Sequence, residues 1–333
     1  MKLPANASPL VIAHRGASGY RPEHSRAAYE LALDLGADAV EPDIVATCDG
    51  VLVLRHENEI SGTTDVAGRS EFADHRTTKV IDGQKLTGWF TEDFTWLELS
   101  TLRVRERLPK IRTRSFDGED GILRLTDLLD LLDERGGNVG MVAEIKHASY
   151  FESIGLPLDE LFAAELSSAG WERDSRLTVE CFETTVLGQI RDRGIEARFV
   201  FLLESAGSPA DQVARHGKNA KLFSDYLTDA GLAELAASVD GMSVDKRMLL
   251  RTDTAGHVTG VTELVERAHA AGLLVFCWTL RAENNFLAKN LRRAGGLREY
   301  GEWMREFQLI MRSGLDGVFA DQPDLAIEAR ATL

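Results

Sequence analysis

Cysteine is scarce in this chain of 333 residues, which contains only Cys48, Cys181 and Cys277. The three residues are scattered, without CxxC or Cys/His spacing, so the sequence indicates neither a disulfide scaffold nor a zinc site. Because free cysteine is among the most buried residue types, we expect three buried free thiols.

Long apolar runs are also missing. Nowhere do about 18 apolar residues follow one another, which predicts that no segment spans a membrane. The segment from Met1 to Pro9 has one lysine and no apolar run of signal-peptide length. If the natural protein starts here, we expect it to be cytoplasmic. An export signal removed from the chain would make it periplasmic or secreted.

Positive charge is in deficit, since 38 Lys and Arg face 53 Asp and Glu, for a net charge of −15. The mean field of such a chain repels nucleic-acid backbones and acidic headgroups, so we expect no nucleic-acid partner. A small anionic substrate would need a locally positive site. The sequence does not indicate the oligomeric state.

Apolar residues make up 44% of the chain and charged residues 27%, as in ordinary globular proteins. Short apolar runs alternate with amphipathic stretches, a pattern typical of parallel βα units. Eight runs occur: Leu10–Ala13, Ala39–Val45, Val139–Ile145, Leu177–Phe182, Ala197–Leu203, Gly241–Asp245, Leu273–Trp278 and Gly317–Ala320. Eight such units predict an α/β fold, a TIM-type (β/α)8 barrel, with residues 1–333 forming a single barrel domain.

Two helices have clear signals. The first is predicted to begin near Ser25, to bury a stripe that includes Ala28 and Ala32, and to end at Gly36. A second is predicted over residues 261–271, with Thr262 as its cap and Gly272 as its stop.

Two stretches exceed a minimal barrel. The longer is an insertion after the second strand, residues 50–123, whose turn-rich composition predicts a cap over the C-terminal face of the barrel. It begins with a hairpin-like apolar run that leads to His56. Residues 282–313 are predicted to be an enlarged final crossover helix.

Polar side chains follow several strands at the end where barrel active sites lie. Glu41 and Asp43 are two residues apart on one strand and project to the same face, as do Glu144 and Lys146. Converging carboxylates are unfavourable unless they are protonated, paired or bound to a hard cation. All-oxygen ligation would favour calcium or magnesium. Structural salt bridges are the alternative.

His14 and His56 each follow an apolar strand segment. A lone histidine there is commonly a packed core or rim residue, but two beside a cation suit general acid and base roles at phosphorus. Arg15 and Lys146 would hold phosphate oxygens, with structural ion pairs as the alternative.

Three sequence runs, in this order along the chain, resemble a known family signature. They are His14-Arg15-Gly16-Ala17-Ser18-Gly19-Tyr20-Arg21-Pro22-Glu23-His24, Gly36-Ala37-Asp38-Ala39-Val40-Glu41-Pro42-Asp43 and Leu52-Val53-Leu54-Arg55-His56-Glu57. Together they resemble the signature of the glycerophosphodiester phosphodiesterase family, in particular its larger bacterial, periplasmic-type members. Further similarity lies in residues 64–67, 144–146 and 316–321 and in the strand ending at Trp278. Two positions depart from the pattern: Glu57 stands where the family commonly has Asp, and His24 where compact members usually have Asn.

The resemblance implies a barrel hydrolase that cleaves glycerophosphodiesters to an alcohol and glycerol 3-phosphate, as part of lipid and glycerol metabolism. It implies one divalent cation, calcium or magnesium, held by Glu41, Asp43 and Glu144. The implied catalytic pair is His14 and His56. The implied substrate-binding residues are Arg15, Lys146, Glu23, Phe182 and Trp278, the two aromatics as apolar walls or, equally, as core packing.

Two other functions stay open at this stage. A lysophospholipase D-like activity on the same scaffold would need an apolar path, for which the insertion offers Trp89, Phe90, Phe94 and Trp96. These aromatics are instead expected to pack the insertion onto the barrel. A non-catalytic glycerophosphodiester-binding protein is the second alternative, and the intact histidines and carboxylates argue against it.

Overall fold

The computed structural model describes residues 8–333. Its central element is a closed barrel of eight parallel strands, in which each strand pairs with its neighbours in sequence and the eighth pairs with the first. The strands are Leu10–His14, Ala39–Glu41 continued by Asp43–Ala46, Gly140–Ile145, Leu177–Cys181, Arg198–Leu203, Gly241–Asp245, Leu274–Leu280 and Gly317–Ala320. All eight predicted strands are present, and the TIM-type barrel is confirmed.

The second strand is interrupted at Pro42, which has no backbone N–H to give to a ladder. Both of its pieces still pair in parallel with the third strand, Ala39 opposite Gly140 and Asp43 opposite Glu144. The break therefore leaves the register intact and keeps Glu41 and Asp43 on the same edge of the barrel.

Helices surround the barrel. The longer ones are Arg26–Asp34, Leu125–Arg135, Leu158–Ala169, Thr184–Asp192, Ala210–His216, Asp229–Ala236, Leu264–Ala270, Trp303–Met311 and Pro323–Ala331. Short helices span Trp96–Leu99, Ala148–Ser153, Phe223–Tyr226 and Lys246–Leu249, and 3-10 turns span Val66–Gly68, Ser70–His75, Thr91–Asp93, Gly217–Asn219 and Lys289–Leu291. The first helix begins as predicted, because the Ser25 hydroxyl accepts a hydrogen bond from the Ala28 N–H.

The barrel interior is filled by side chains, as expected for eight strands. Ile12, Val142, Val200, Phe276 and Phe319 form a buried apolar layer inside it. This layer is the floor on which the polar side chains at the carboxyl ends of the strands rest.

Residues 50–123 contain a strand, Leu52–Leu54, that runs antiparallel to Asp43–Ala46, as the hairpin-like run predicted. They also contain a separate hairpin, Thr77–Ile81 with Gln84–Gly88. Phe90 and Phe94 are fully buried, and Trp89 and Trp96 pack against the core. The aromatics therefore pack the segment onto the protein, as expected. That residues 50–123 cap the barrel as one unit stays a prediction.

Three sequence expectations are wrong. The helix predicted over residues 261–271 begins only at Leu264, because Val258–Val261 pairs with Leu250–Thr252 as a hairpin and the Thr262 hydroxyl donates to the Met248 carbonyl. Residues 282–313 are mostly irregular, with a helix only over Trp303–Met311. Cys48 is exposed, while Cys181 and Cys277 are buried.

No helix within residues 8–333 combines the length and the apolar character needed to cross a membrane. The expectation about the amino-terminal segment concerns Met1 to Pro9, of which residues 1–7 lie outside the described part of the chain.

Candidate active site

Three carboxylates converge at the carboxyl ends of the second and third barrel strands. Strand register sets this arrangement, because His14 lies opposite Glu41 and Asp43 lies opposite Glu144. One oxygen from each of Glu41, Asp43 and Glu144 lies within 4.8 Å of the others, and all three residues are buried. The structure thus brings together the three residues that the sequence proposed as cation ligands.

Two oxygens of this cluster are buried without a hydrogen-bond partner among the described residues, Glu41 Oε1 and Asp43 Oδ1. An unpaired buried carboxylate oxygen is costly, and buried charges are normally paired or coordinated. The unsatisfied oxygens and the all-oxygen donor set fit a hard divalent cation.

The pKa values of the three carboxyl groups reflect the cost of burying them close together. Burial, followed by the neighbouring Asp43, raises the pKa of Glu41 well above its usual range. Burial also raises the pKa of Glu144 to about 8, with Asp43 adding to the effect and Lys146 opposing it. Burial acts in the same direction on Asp43, but Lys146, His56 and Arg15 outweigh it and hold its pKa low. Without a cation, therefore, the cluster keeps Asp43 ionised and favours protons on the other two.

Arg15 and Lys146 supply positive charge beside the cluster, and both are buried. The Lys146 Nζ donates to Glu144 Oε1 at 2.7 Å and lies 3.6 Å from Asp43 Oδ1. The Arg15 Nη1 donates to Glu23 at 2.9 Å, and its Nε lies 3.1 Å from Asp43 Oδ2. Both cations thus form the ion pairs that were the structural alternative. That they also hold phosphate oxygens stays a prediction.

The loop that carries Arg15 is shaped by its backbone. Arg15 and Gly16 both have positive φ, 61° and 81°. A Cβ on Gly16 would lie 2.6 Å from the Ala28 carbonyl carbon, so only glycine lets this loop pack against the first helix. The close packing also lets the Arg15 N–H donate to Glu41 Oε2 at 2.8 Å.

His14 is buried and oriented by a carboxylate. Its Nδ1 lies 2.6 Å from Asp321 Oδ1, and Asp321 accepts further hydrogen bonds from Arg112 Nη2 and Arg281 Nε, each at 2.6 Å. Burial first, then Arg15, lowers the pKa of His14 to about 4. The two arginines and His14 outweigh burial and hold the pKa of Asp321 well below its usual range. A neutral His14 therefore donates from Nδ1 and leaves Nε2 free.

His56 has a similar arrangement at a more open position, with 30% of its side chain exposed. Its Nδ1 lies 2.5 Å from Glu57 Oε1. Burial first, then Arg15 and Lys146, lowers the pKa of His56 to about 3. Glu57, the residue that departs from the family pattern, is thus in contact with the imidazole that precedes it.

Arg107 links Glu23, which pairs with Arg15, to Glu57, which pairs with His56. It donates to both carboxylate oxygens of Glu23 and to both of Glu57, at 2.6–2.9 Å. Glu23 thus lies near the site in an ion-pair network with Arg15 and Arg107.

His24 lies behind the cluster and is fully buried. Its Nε2 lies 2.9 Å from Asp43 Oδ2, and its Nδ1 lies 2.8 Å from the Tyr29 hydroxyl. It is placed to orient Asp43.

Phe182 and Trp278 meet edge to face, with ring centroids 6.0 Å apart, and the Lys146 Nζ lies 5.7 Å from the Phe182 centroid. Phe182 lines a cavity of about 690 Å³ together with Glu144 and Lys146. Trp278 lines a second cavity of about 560 Å³. Both aromatics thus border open space, and the cavity beside Phe182 is the one that includes residues of the carboxylate cluster.

Sequence reasoning assigned no role to Asp321, Arg107, Arg112 and Arg281. Asp321 had a signal, since it follows the eighth strand directly and falls within a run quoted for the resemblance. A fourth buried carboxylate, Glu180, lies opposite Glu144 in the barrel and has an unpartnered Oε2. The sequence feature that could have identified Glu180 is its position as a charged residue inside an apolar strand.

A (β/α)8 barrel with a carboxylate cluster, two carboxylate-oriented histidines and two buried cations at one end has the composition of a phosphoester hydrolase. Comparisons with known proteins narrow this class. Residues 14–325 match the family described as glycerophosphoryl diester phosphodiesterase. The chain therefore belongs to that family, as the resemblance indicated, and its enzyme class is that of the phosphoric diester hydrolases.

Individual relatives agree. The chain is 30% identical to the Arabidopsis thaliana glycerophosphodiester phosphodiesterase GDPD6, over 94% of this chain and 83% of that protein. It is 25% identical to a Haemophilus influenzae glycerophosphodiester phosphodiesterase, over 96% and 89%.

Among solved structures, an Oleispira antarctica phosphodiesterase in complex with the product sn-glycerol-3-phosphate superposes with a TM-score of 0.64 at 19% identity, covering 97% of this chain and 96% of that one. An Agrobacterium tumefaciens glycerophosphodiester phosphodiesterase gives 0.56 at 19%, covering 96% and 99%. These structures share the fold.

Proposed function

We propose that this protein hydrolyses glycerophosphodiesters to an alcohol and glycerol 3-phosphate, with a divalent cation held by Glu41, Asp43 and Glu144. The observation that carries the proposal is the pair of buried, unpartnered oxygens in a cluster of three carboxylates. Relatives named glycerophosphodiester phosphodiesterases support the substrate class. The fold neighbour that binds sn-glycerol-3-phosphate supports the product.

When bound, the cation would neutralise the carboxylates and polarise a phosphate oxygen. The protein's own cations act beside it. Arg15 and Lys146 lie next to the cluster and stabilise the negative charge that develops on the phosphate oxygens. Their ion pairs with Glu23 and Glu144 fix the two side chains before substrate arrives, so less order has to be imposed on binding.

His14 and His56 carry the protons. Each holds a carboxylate through Nδ1 and so presents Nε2 to the substrate, Asp321 orienting the first and Glu57 the second. One histidine takes a proton from the attacking hydroxyl while the other gives a proton to the leaving alcohol oxygen, as the P–O bond to that alcohol breaks. Their lowered pKa values make both neutral near pH 7, which suits the base. The histidine that acts as acid must first take up a proton at Nε2, which the negative charge of the bound phosphate favours.

Two routes satisfy this proton balance. In one, water attacks phosphorus; in the other, a glycerol hydroxyl attacks first and the cyclic phosphate is then opened by water. A quenched single turnover distinguishes them, because only the second route passes through a cyclic glycerol phosphate.

The insertion aromatics do not favour the lysophospholipase D-like alternative, because Phe90 and Phe94 are fully buried and Trp89 and Trp96 pack against the core. Phe182 and Trp278 border the open cavities instead and provide short apolar walls for the glycerol carbons. A preference for acylated over deacylated diesters would contradict this assignment.

One assay tests the central proposal, namely glycerol 3-phosphate release from a deacylated glycerophosphodiester with added calcium or magnesium. We expect turnover by the wild type and its loss in Glu144→Gln. Tight binding of the diester without any release would identify a non-catalytic binding protein and overturn the proposal.

A further inference from the structure

The cavity of about 560 Å³ beside Trp278 has an unusual charge for this chain. Its cationic lining residues are Lys246, Arg247, Arg281, Lys289 and Arg292. Within residues 8–333, its carboxylate lining residues are Asp245 and Glu306. We call this cavity the basic pocket. Because the whole chain carries a net charge of −15, five cations facing two carboxylates mark a local reversal of the mean field.

Both carboxylates of the basic pocket are already neutralised. Lys246 Nζ donates to Glu306 at 2.6 Å, and Arg247 donates to Asp245 through Nε and Nη2, at 2.8 and 2.7 Å. These pairs account for two of the five cations and leave Arg281, Lys289 and Arg292.

Lys289 and Arg292 are held by backbone carbonyls. The Lys289 Nζ donates to the Ala255 carbonyl at 3.0 Å, and the Arg292 Nε donates to the Leu287 carbonyl at 2.9 Å. Within residues 8–333 neither side chain forms an ion pair. The two positive charges are therefore positioned by the fold but not compensated, as expected for a site that binds an anion.

Arg281 joins the basic pocket to the active site. It donates to Asp321, the carboxylate that orients His14, and Asp321 is also paired with Arg112. Arg281 and Arg112 thus share one carboxylate, so Asp321 does not fully neutralise the charge of Arg281. Trp278, on the pocket wall, touches the Phe182 ring that borders the other cavity. The basic pocket therefore adjoins the active site at Arg281 and at the Trp278–Phe182 pair.

The cavity on the other side of this aromatic pair has the opposite character. Asp82, Glu183 and Glu204 line it in addition to Glu144, against Lys146 and His147. A second anionic group would be repelled by Asp82, Glu183 and Glu204 there and attracted to the basic pocket.

We propose that the basic pocket binds a second anionic group, carried by the alcohol that leaves during hydrolysis. The preferred substrates are then glycerophosphodiesters whose alcohol bears a phosphomonoester. The inference rests on the proposed function, because it assigns a second subsite to the same substrate.

Two synthetic diesters test it: the glycerophosphodiester of propanediol, and the same compound with a phosphomonoester on the free propanediol hydroxyl. We expect the wild type to have the higher kcat/KM for the phosphorylated diester. The preference should weaken as ionic strength rises, because salt screens exposed charges.

Lys289→Gln and Arg292→Gln should each lower the ratio of the two kcat/KM values by about two- to fivefold, and together by about tenfold, the scale of exposed charge pairs. Both side chains are exposed and free of ion pairs, so the variants should fold, which thermal melting checks. Lys218→Gln removes an exposed cation elsewhere and should leave the ratio unchanged.

Turnover of both diesters with no wild-type preference, or with a ratio that the two variants do not change, would overturn this inference alone. No turnover of either diester would overturn the proposed function, and this inference with it.

Discussion

His14 and Asp321 are separated by 307 residues in the sequence, yet His14 Nδ1 lies 2.6 Å from Asp321 Oδ1. Barrel closure explains the contact, because the first and eighth strands are neighbours and both residues stand at their carboxyl ends. Arg112 and Arg281 keep Asp321 ionised, so the carboxylate accepts a hydrogen bond from the Nδ1–H group and fixes the tautomer of the imidazole. Asp321 is thus a positioning residue for His14.

Replacing Asp321 by Asn should lower kcat by between ~10² and ~10⁴, because the imidazole would lose its fixed tautomer while still occupying the site. KM should change much less, and this split is measured by steady-state kinetics. Asp34→Asn is the matched control, since it removes an exposed carboxylate that pairs with Arg135. If kcat fell by a similar factor in Asp321→Asn and Asp34→Asn, Asp321 would not have a specific role in positioning His14.

His14→Ala and His56→Ala should each lower kcat by about 10² to 10⁴, the usual scale for one positioned proton-transfer group. The double variant should lose far less than the product of the two, because residues acting as one unit are not additive. His257→Ala serves as control, since this exposed side chain lies far from the signature in sequence and pairs with the exposed carboxylate of Asp253. Near-normal kcat in a folded, cation-loaded His56→Ala protein would end the two-histidine mechanism.

Chelation should abolish activity, and added calcium or magnesium should restore it. A second readout is the melting temperature, which should rise by about 5 °C at roughly a hundredfold excess over Kd, because the cation binds only the folded cluster. Glu41→Gln should weaken both effects, whereas Asp192→Asn, which changes an exposed helical carboxylate, should not. Full turnover in excess chelator would instead indicate a metal-free mechanism.

Acid should destabilise the protein partly through His14. Its pKa is about 4 in the folded state, against 6.5 for an unperturbed histidine, so between those values only the unfolded state binds the proton. Stability from this group is therefore full above pH 6.5 and is lost as the pH falls towards 4. The unfolding free energy, measured by denaturant titration, should fall between pH 7 and pH 4.5 in both the wild type and His14→Gln. The fall should be about 2 kcal/mol smaller in His14→Gln, which lacks the titrating imidazole. Equal losses would show that His14 does not carry this dependence.

The sequence allowed the barrel and the core of the site to be predicted because both depend on local patterns. Each buried strand is a short apolar run, and Glu41, Asp43 and Glu144 follow from the two-residue period of strands that share one barrel edge. The Ser25 cap is likewise a local signal. Such features need no knowledge of distant contacts.

The surrounding network could not be predicted because it depends on where loops return. Arg107 and Arg112 lie in an irregular part of the insertion, and their carboxylate partners are up to 209 residues away. The expected helix over residues 282–313 fails for a related reason. The Asn284 side chain donates to the carbonyls of Arg293 and Gly296, which folds the segment into a compact loop despite its helix-forming composition.

The adjacency of the first and eighth strands also matters while the protein is being made. A growing chain has His14, His56 and the three carboxylates early, yet it lacks Asp321 and the strand Gly317–Ala320 until synthesis nears its end. Until then the barrel is open beside the first strand, and the His14 imidazole has no carboxylate to hold it. The proposed active site is therefore complete only once the last barrel strand has been synthesised.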